Sequence, residues 1–410
     1  MLVSTAQTLD ECHQAAERNY PLIAQYDLIA RTTDLTVANI QKGWLPQLSA
    51  TAQTTYQNAV TAWPDEMKGL MQQTGLEMKG LARDQYRVGL DLQQTVFDGG
   101  SISALKQVAR EQGAVQQAQL DVELYNNVRK RVNEMYFGLL LLDDQIRLNQ
   151  DLQEQLAASE KKLASMVKHG TAAQCDLNNV SAERLNVAQQ QTTLESQRRL
   201  LQTMLGTFCG IEVTQVAKPP VAEITQDNNR PELRLIDSQL RLADAQQRVL
   251  NSALLPRLGV FAQGYYGYPG YNLFKDMMGR DWSWNGMVGA RLTWNIGALY
   301  THRNDKAKLQ LQRESVQNQR EVFLFNNRLE QMQQQEAIDR YRQLMAQDEE
   351  IITLRQLVRK AAESKLSHGI IDVNDLVRDI NSENAARLQL SIHEVEMLKQ
   401  MYDLKYTTNN

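Results

Sequence analysis

Histidine and cysteine are residue types that often act in catalysis or bind a transition metal. The 410-residue chain has five histidines and three cysteines, widely separated. They form no HExxH motif, no histidine pair at i and i+4, and no cysteine–histidine cluster. The cysteines are also too few and too scattered for a disulfide framework. The pattern predicts no metal, no cofactor and no enzyme, and the adjacent Asp143 and Asp144 are expected on a solvated helix face.

Two aspartates follow histidine–glycine pairs at the same distance. Residues 168–177 have the sequence KHGTAAQCDL, and residues 367–376 have the sequence SHGIIDVNDL. Glycine tolerates the positive φ that ends a helix, and a carboxylate is favoured at the start of the next one. Each segment is therefore predicted to be a turn between two helices, with Asp176 and Asp375 near the start of the second helix.

Charge and hydropathy exclude several classes of protein. Charged residues make up 22% of the chain and the net charge is −4, so no binding to nucleic acid is predicted. The mean hydropathy is −0.48 and there is no long apolar run, which argues against a transmembrane helix but not against weakly alternating barrel strands. Residues 1–10 show no secretory leader, so the protein is expected either to stay inside the cell or to be a mature chain.

Short segments recur in the same order along the chain. Four such pairs indicate a duplicated unit of roughly 200 residues. The matching pairs are NYPLI at 19–23 with NRPEL at 229–233, WLPQL at 44–48 with LLPRL at 254–258, LQQTVFDGG at 92–100 with RLTWNIG at 291–297, and the two histidine–glycine segments.

Each unit is predicted to contain a helix, a strand pair, a long helix, a short break and a final helix. Proline is absent from 99–206 and after residue 269, which permits long helices. Apolar residues recur at spacings of three and four from Leu124 to Ile146, as in a coiled coil. The predicted organisation is a first repeat at 1–206 (strand pair 47–97, helical hairpin 100–206), a linker at 207–228, and a second repeat at 229–410 (strand pair 256–296, helical hairpin 298–406).

The predicted strands have one apolar face, because apolar residues occupy every second position. Aromatic residues concentrate near the strand ends, which is typical of a membrane interface and also of an ordinary sheet edge. Four strands are too few for a closed barrel, which needs about eight. Several chains are therefore predicted to share one barrel as a cyclic homo-oligomer. The candidate membrane-interface aromatics are Trp44, Trp63, Trp282, Trp284 and Trp294.

The order of these motifs resembles the TolC-like outer-membrane efflux proteins, the outer-membrane factors of tripartite export systems. The shared features are the LP-x-L strand, the VFDGG strand end, the long helix and the HG-x5-DL turn, over nearly the whole chain. The resemblance implies an α+β membrane protein. In that family a trimeric 12-stranded β-barrel, with four strands per chain, continues into a long α-helical barrel of coiled-coil hairpins.

The same resemblance implies a passive exit duct for efflux or type I secretion. A homotrimer would lie in the outer-membrane lipid of a Gram-negative bacterium, with its helical part in the periplasm. A periplasmic adaptor protein would couple it to an inner-membrane transporter. The segments 57–85 and 267–285 are then expected to be extracellular loops.

The resemblance also assigns roles to the two turns. Family members have a tip glycine that lets the chain reverse and offers a groove to the adaptor, and an acidic residue six positions after the second tip glycine narrows the pore. A second aspartate often follows three residues later, where this sequence has Arg378, so pairing of aspartate with arginine between neighbouring subunits is expected to replace a double acidic ring. The implied periplasmic gate is Asp375, Arg378, Asp176, Asp372 and Asp379, and the implied adaptor-contacting tips are His169, Gly170, Thr171, His368, Gly369 and Ile370.

Two other classes of protein account for part of the sequence. A soluble coiled-coil scaffold would have the same helical stripes. A pore-forming toxin would have amphipathic strands, but it would not need a duplicated histidine–glycine turn.

Overall fold

The computed structural model describes residues 6–73, 75, 79–222 and 228–409. Part of the predicted linker (223–227), part of the first predicted loop (74 and 76–78) and the chain ends (1–5 and 410) lie outside these residues. In chain order the elements are α1 (Leu9–Asn19), α2 (Ala24–Gln41), β1 (Gln47–Tyr56), α3 (Asp65–Gln73), β2 (Asp84–Phe97), α4 (Ser101–Lys168), α5 (Gln174–Cys209), α6 (Pro231–Ser252), β3 (Arg257–Tyr268), α7 (Leu273–Gly279), β4 (Ser283–Thr293), α8 (Ala298–Ser367) and α9 (Val373–Thr408).

A helix-rich chain with a small antiparallel sheet was predicted, and this is confirmed. The two long helices, α4 and α8, have 68 and 70 residues. In α4 the predicted apolar stripe is buried at Val128, Val132 and Leu139, because residues at spacings of three and four share one face of a helix. No helix in the described ranges is long and apolar enough to cross a membrane.

The described residues fall into two compact units, and each unit takes residues from both halves of the sequence. One unit is drawn from residues 6–27, 117–236 and 318–409, and the other from residues 28–116 and 237–317. The first unit contains the ends of the two helical hairpins. The second unit contains the sheet.

The sheet has four antiparallel strands in the order β1-β2-β3-β4. β2 pairs with β3, so strands from the two halves of the sequence join in one sheet, with Leu92 opposite Ala262. The register aligns the side chains of all four strands. One row across the sheet is Ala52, Val88, Tyr266 and Trp284.

One face of the sheet is apolar and exposed in the single chain. Directly paired residues of antiparallel strands lie on the same face, and a second row across this face is Leu48, Leu92, Ala262 and Val288. Exposure is 66% for Leu48 and 82% for Val288. The opposite face is mostly polar, and one of its rows is Ser49, Asp91, Gln263 and Met287.

The start of α4 is fixed by Asp98 in the motif VFDGG, directly after β2. The buried Asp98 carboxylate accepts hydrogen bonds from the backbone N–H of Gly100 (2.9 Å) and of Ile102 (2.5 Å). The first N–H groups of a helix have no partner within the helix, so a carboxylate at this position stabilises its start. The VFDGG motif therefore ends β2 and caps the start of the long helix α4.

A chain of buried polar groups joins α1, α4 and α9 in the first unit. Arg129 donates to Nδ1 of His13 (3.2 Å), and Nε2–H of His13 then donates to Oδ1 of Asn133 (2.9 Å). Asn133 in turn donates to Asp403 (3.1 Å). Burial, reinforced by the charge of Arg129, lowers the pKa of His13 to about 4. His13 is therefore a neutral structural residue.

Arg230 is a buried arginine of the first unit, and its guanidinium contacts aromatic rings, a carboxylate and an amide. Its guanidinium lies 4.9 Å from the ring centre of Tyr125 and 4.8 Å from that of Tyr406. It donates to Glu232 through Nε (2.9 Å) and to Asn126 through Nη2 (3.0 Å). The side chains of Arg230 and Glu232 are only 9% and 16% exposed.

We expect Arg230→Met to lower the free energy of unfolding by about 3–5 kcal/mol, because the substitution leaves a buried carboxylate without its cation. Denaturant unfolding in detergent, followed by circular dichroism, measures the loss. The control is Arg147→Met, which removes a 67% exposed partner of Asp144 and should cost at most about 1 kcal/mol. Equal losses in the two variants would show that Arg230 has no special role.

Candidate functional site

The two histidine–glycine segments form two turns of the same kind, as the repeat predicts. In the first, Gly170 donates to the carbonyl of Val167 (3.0 Å) and Thr171 donates to that of Met166 (2.9 Å). This hydrogen-bond pattern is the Schellman motif, in which the residue after the helix adopts positive φ. Gly170 has φ 73°, a conformation that costs other residues free energy.

The second turn repeats this geometry with different residues. Gly369 has φ 69° and donates to the carbonyl of Leu366 (3.0 Å), and Ile370 donates to that of Lys365 (3.0 Å). His169 and His368 are both exposed, as expected for turn residues. Nδ1 of His368 lies 2.8 Å from the carbonyl oxygen of Ser364, on its own helix.

The helices that follow the two turns, α5 and α9, are each capped by one of the two hydrogen bonds of a capping box. At α5, the carboxylate of Asp176 accepts from the backbone N–H of Ala173 (3.2 Å). At α9, the carboxylate of Asp372 accepts from the backbone N–H of Asp375 (2.9 Å). These are the two bonds that a complete capping box would make together, so each turn keeps one of them. The capping role predicted for Asp176 is confirmed, whereas in the second turn the capping carboxylate belongs to Asp372.

The residues predicted for the gate lie at the starts of α5 and α9. Four of them are at the start of α9: Asp372 is its N-cap, and Asp375, Arg378 and Asp379 are in its first two turns. Arg378 donates to Asp375 over 2.8 Å within the same chain, and their side chains are 71% and 36% exposed. Such an exposed pair adds little stability, so its residues are free to make other contacts.

Two hydrogen bonds connect the helical hairpins close to the turns. Asn179 donates to Asn374 (3.2 Å), and Asn381 donates to Glu183 (2.7 Å). Both bonds join α5 to α9. The sequence does not reveal them, because asparagine and glutamate are ordinary residues on the surface of a helix and no spacing marks these four.

A small core lies behind the turns and holds the helices together. It includes Leu163, Val180 and Ile380, all at most 2% exposed. Nearby, the buried carboxylate of Glu383 accepts from Arg359 (2.5 Å) and Arg387 (2.8 Å). Burial alone would raise the pKa of Glu383, but the hydrogen bonds from the two arginines more than offset this, and the pKa is lowered. The turns therefore project from a fixed base.

The predicted interface aromatics lie at both ends of the sheet. Trp44 precedes β1 and Trp294 follows β4, and these positions are at the same end because the strands are antiparallel. Trp282 and Trp284 are at the other end, where Trp284 is 81% exposed. Trp63 lies in the loop after β1 and is half-buried against a cluster that includes Tyr268.

The described part of the chain contains no group of three or more histidine, cysteine, aspartate or glutamate side chains placed to bind a metal ion. What the geometry offers is a pair of exposed turns on a rigid base, together with a sheet that has one apolar face. Both features suit contacts with other macromolecules or lipid.

The model of the family described as "Outer membrane efflux protein" matches residues 13–209. This segment belongs to the outer membrane efflux protein family. It includes β1, β2, α4, the first turn and α5. The match confirms the family that the motifs indicated, and proteins of this efflux family are channels rather than enzymes.

Solved structures of outer-membrane channels extend the likeness to the rest of the chain. VceC from Vibrio cholerae has a TM-score of 0.68 at 11% identity, covering 98% of this chain and 96% of that one. MtrE from Neisseria gonorrhoeae has a TM-score of 0.66 at 12% identity, covering 98% and 89%. CmeC from Campylobacter jejuni has a TM-score of 0.65 at 13% identity, covering 98% and 85%. At these identities the likeness shows a common fold. No curated protein matched the sequence.

We expect Asp372→Ala to loosen the second turn, because it removes the N-cap of α9. Loss of such a cap costs about 1 kcal/mol, equivalent to roughly fivefold faster amide exchange in the first turn of α9. Hydrogen exchange followed by mass spectrometry measures this rate. Asp372→Asn is the matched control, because asparagine caps equally well without the charge. If the two variants exchange equally, the cap is not what holds the turn.

Proposed function

We propose that this chain forms the outer-membrane exit duct of a tripartite efflux or type I secretion system. Three copies would build one channel: a 12-stranded barrel in the lipid of the outer membrane and a tube of helical hairpins in the periplasm of a Gram-negative bacterium. The duct would be passive. A periplasmic adaptor protein and an inner-membrane transporter would deliver the substrate and the energy.

The observation that supports this proposal best is the sheet, which has two unpaired edge strands and an exposed apolar face in the single chain. Its edge strands β1 and β4 have 10 and 11 residues, and an open edge of this length is a template for further strands. The apolar residues align on one face and the polar ones on the other. Pairing of β4 with β1 of the next copy would satisfy both edges. A closed barrel would then turn its apolar face to lipid and its polar face to water.

The exposed aromatics at the sheet ends support the same orientation. A tryptophan that is apolar on its rings and polar at its N–H is favoured at the membrane–water boundary. Trp284 at one end is 81% exposed, and Trp294 at the other is 55% exposed. These two side chains would mark the two boundaries. Trp63, which is half-buried in the loop cluster, would contribute less.

The two turns support a docking role. They are exposed, they have equivalent backbone geometry, and the apolar Ile370 beside the second glycine is 68% exposed. We propose that the adaptor contacts His169, Gly170 and Thr171 at one tip. At the other tip it would contact His368, Gly369 and Ile370.

We further propose that the start of α9 forms the periplasmic gate. Three copies of Asp375 and Arg378 around one axis would place charges of both signs at the narrowest point of the tube, where they would control the passage of ions. Asp372 and Asp379 would add negative charge beside them. Asp176 on the neighbouring helix would do the same, although its capping bond holds it close to the backbone.

A soluble scaffold and a pore-forming toxin remain the alternatives, and the sheet argues against the first. In a soluble scaffold the apolar face of the sheet would stay exposed to water, which is unfavourable. A toxin would lyse target cells by itself, whereas a duct that depends on partners would not.

Fractionation followed by electron microscopy tests the assembly. We expect the protein in the outer-membrane fraction and, after solubilisation in detergent, as particles of three chains with threefold symmetry. The reason is that three sheets of four strands are needed to close the barrel. Protein that remains in the soluble fraction as single chains would refute the duct.

For the gate, we expect the double variant Asp375→Ala/Arg378→Ala to raise single-channel conductance in planar bilayers. Removing two charged side chains per chain would widen the constriction and take away the charges that line it. An unchanged conductance would exclude these two residues from the gate.

The chain offers a matched control for this measurement. Asp339 and Arg342 form an exposed pair on α8 with the same spacing of three residues and a distance of 3.0 Å. The variant Asp339→Ala/Arg342→Ala removes the same charges away from the turns and should leave conductance unchanged. An equal increase in both variants would point to a general charge effect.

A further inference from the structure

Two cysteines that are far apart in the sequence meet in the core of the first unit. Cys12 lies in the first turn of α1, and Cys209 is the last residue of α5, 197 positions later. The sulfur of Cys209 is 3.4 Å from the carbonyl oxygen of Cys12. Exposure is 0% for Cys12 and 2% for Cys209. Cys175, the third cysteine, is exposed beside the first turn.

Other contacts fix the two helices against each other around this pair. Asn19, at the end of α1, donates to the carbonyls of Thr207 and Phe208, both at 3.2 Å. The rings of Tyr20 and Phe208 are 5.5 Å apart. These contacts occupy the last turn of α5, immediately beside Cys209. The contact between Cys12 and Cys209 is therefore set by the packing of α1 on α5.

The surroundings of the pair are apolar. Ala16, Val132 and Leu205 belong to the same buried cluster as the two cysteines and are fully buried. Contact with Cys209, together with burial, raises the pKa of the Cys12 thiol. A thiol that stays protonated does not react, so the Cys12 thiol would not start an exchange in the packed core. Because Cys12 and Cys209 are both buried, an oxidant would reach the two sulfurs while the chain is folding, before α1 packs over them.

We propose that Cys12 and Cys209 form a structural disulfide that ties the first helix of the chain to the end of α5. The proposal rests on the periplasmic location proposed above, because that compartment is oxidising and disulfides persist there. The bond would close a loop of nearly half the chain. A long loop of this kind restricts the unfolded state strongly.

The chemistry is ordinary thiol–disulfide exchange with a disulfide-bearing oxidant, either a protein or a small molecule. The thiolate of one cysteine attacks the disulfide of the oxidant, forms a mixed disulfide and releases one oxidant thiol. The thiolate of the second cysteine then displaces the other oxidant sulfur. The cysteine pair loses two electrons and two protons, and the oxidant is reduced to two thiols.

Counting thiols in the full-length protein tests this proposal. Protein extracted from the outer-membrane fraction is denatured without reductant, treated with an alkylating reagent and weighed by mass spectrometry. We expect one alkylated cysteine, Cys175, and a non-reduced digest in which the peptide of Cys12 is linked to that of Cys209. Three alkylated cysteines, or a link that involves Cys175, would overturn the disulfide.

Two variants sharpen the count. Cys175→Ser should give no alkylated cysteine, and Cys12→Ala should give two, because Cys209 loses its partner. Any other count in either variant would refute the pairing. Fractionation separates this inference from the proposed function: three free thiols in protein from the outer membrane refute the disulfide alone, whereas absence of the protein from that membrane refutes the duct as well.

Discussion

The pairing of β2 with β3 is the constraint on which the rest of the sheet depends. It joins strands from the two halves of the sequence, and its register places Leu92 opposite Ala262 and Val88 opposite Tyr266. A slip of one residue would move every side chain of β3 and β4 to the other face. The apolar face would then be broken in the middle. Because the register holds, four short amphipathic strands make one continuous surface, which is the property that a lipid-facing wall requires.

Much of the fold could be predicted because its signals are periodic. The absence of proline and the stripe through Val128 and Val132 predict a long helix, and α4 is a continuous helix of 68 residues with this stripe buried. The positive φ of Gly170 and Gly369 follows from their position after a helix. Each of these features is local, so it depends only on residues that are close together in the sequence.

The contacts between distant segments could not be predicted in this way. Asp143 and Asp144 were expected on a solvated helix face, but they are only partly exposed: Asp143 pairs with Arg198 on α5, and Asp144 accepts a bond from Ser391 on α9 (2.9 Å). The meeting of Cys12 with Cys209 was missed for the same reason. Such partners depend on how helices are packed, and a single sequence has no signal for packing partners that are not periodic.

The unequal capping of the two turns has a consequence for how the duplicated halves can specialise. At the first turn the carboxylate of Asp176 is used to hold the backbone. At the second turn the carboxylate of Asp372 binds the backbone instead, and the carboxylate of Asp375 pairs with Arg378. The two turns have the same backbone geometry, but because different residues provide the capping carboxylate, only the second turn has an aspartate, Asp375, that pairs with an arginine side chain. Two turns with the same backbone conformation can therefore differ in the charged groups that they expose, because the capping carboxylate comes from a different position in each turn.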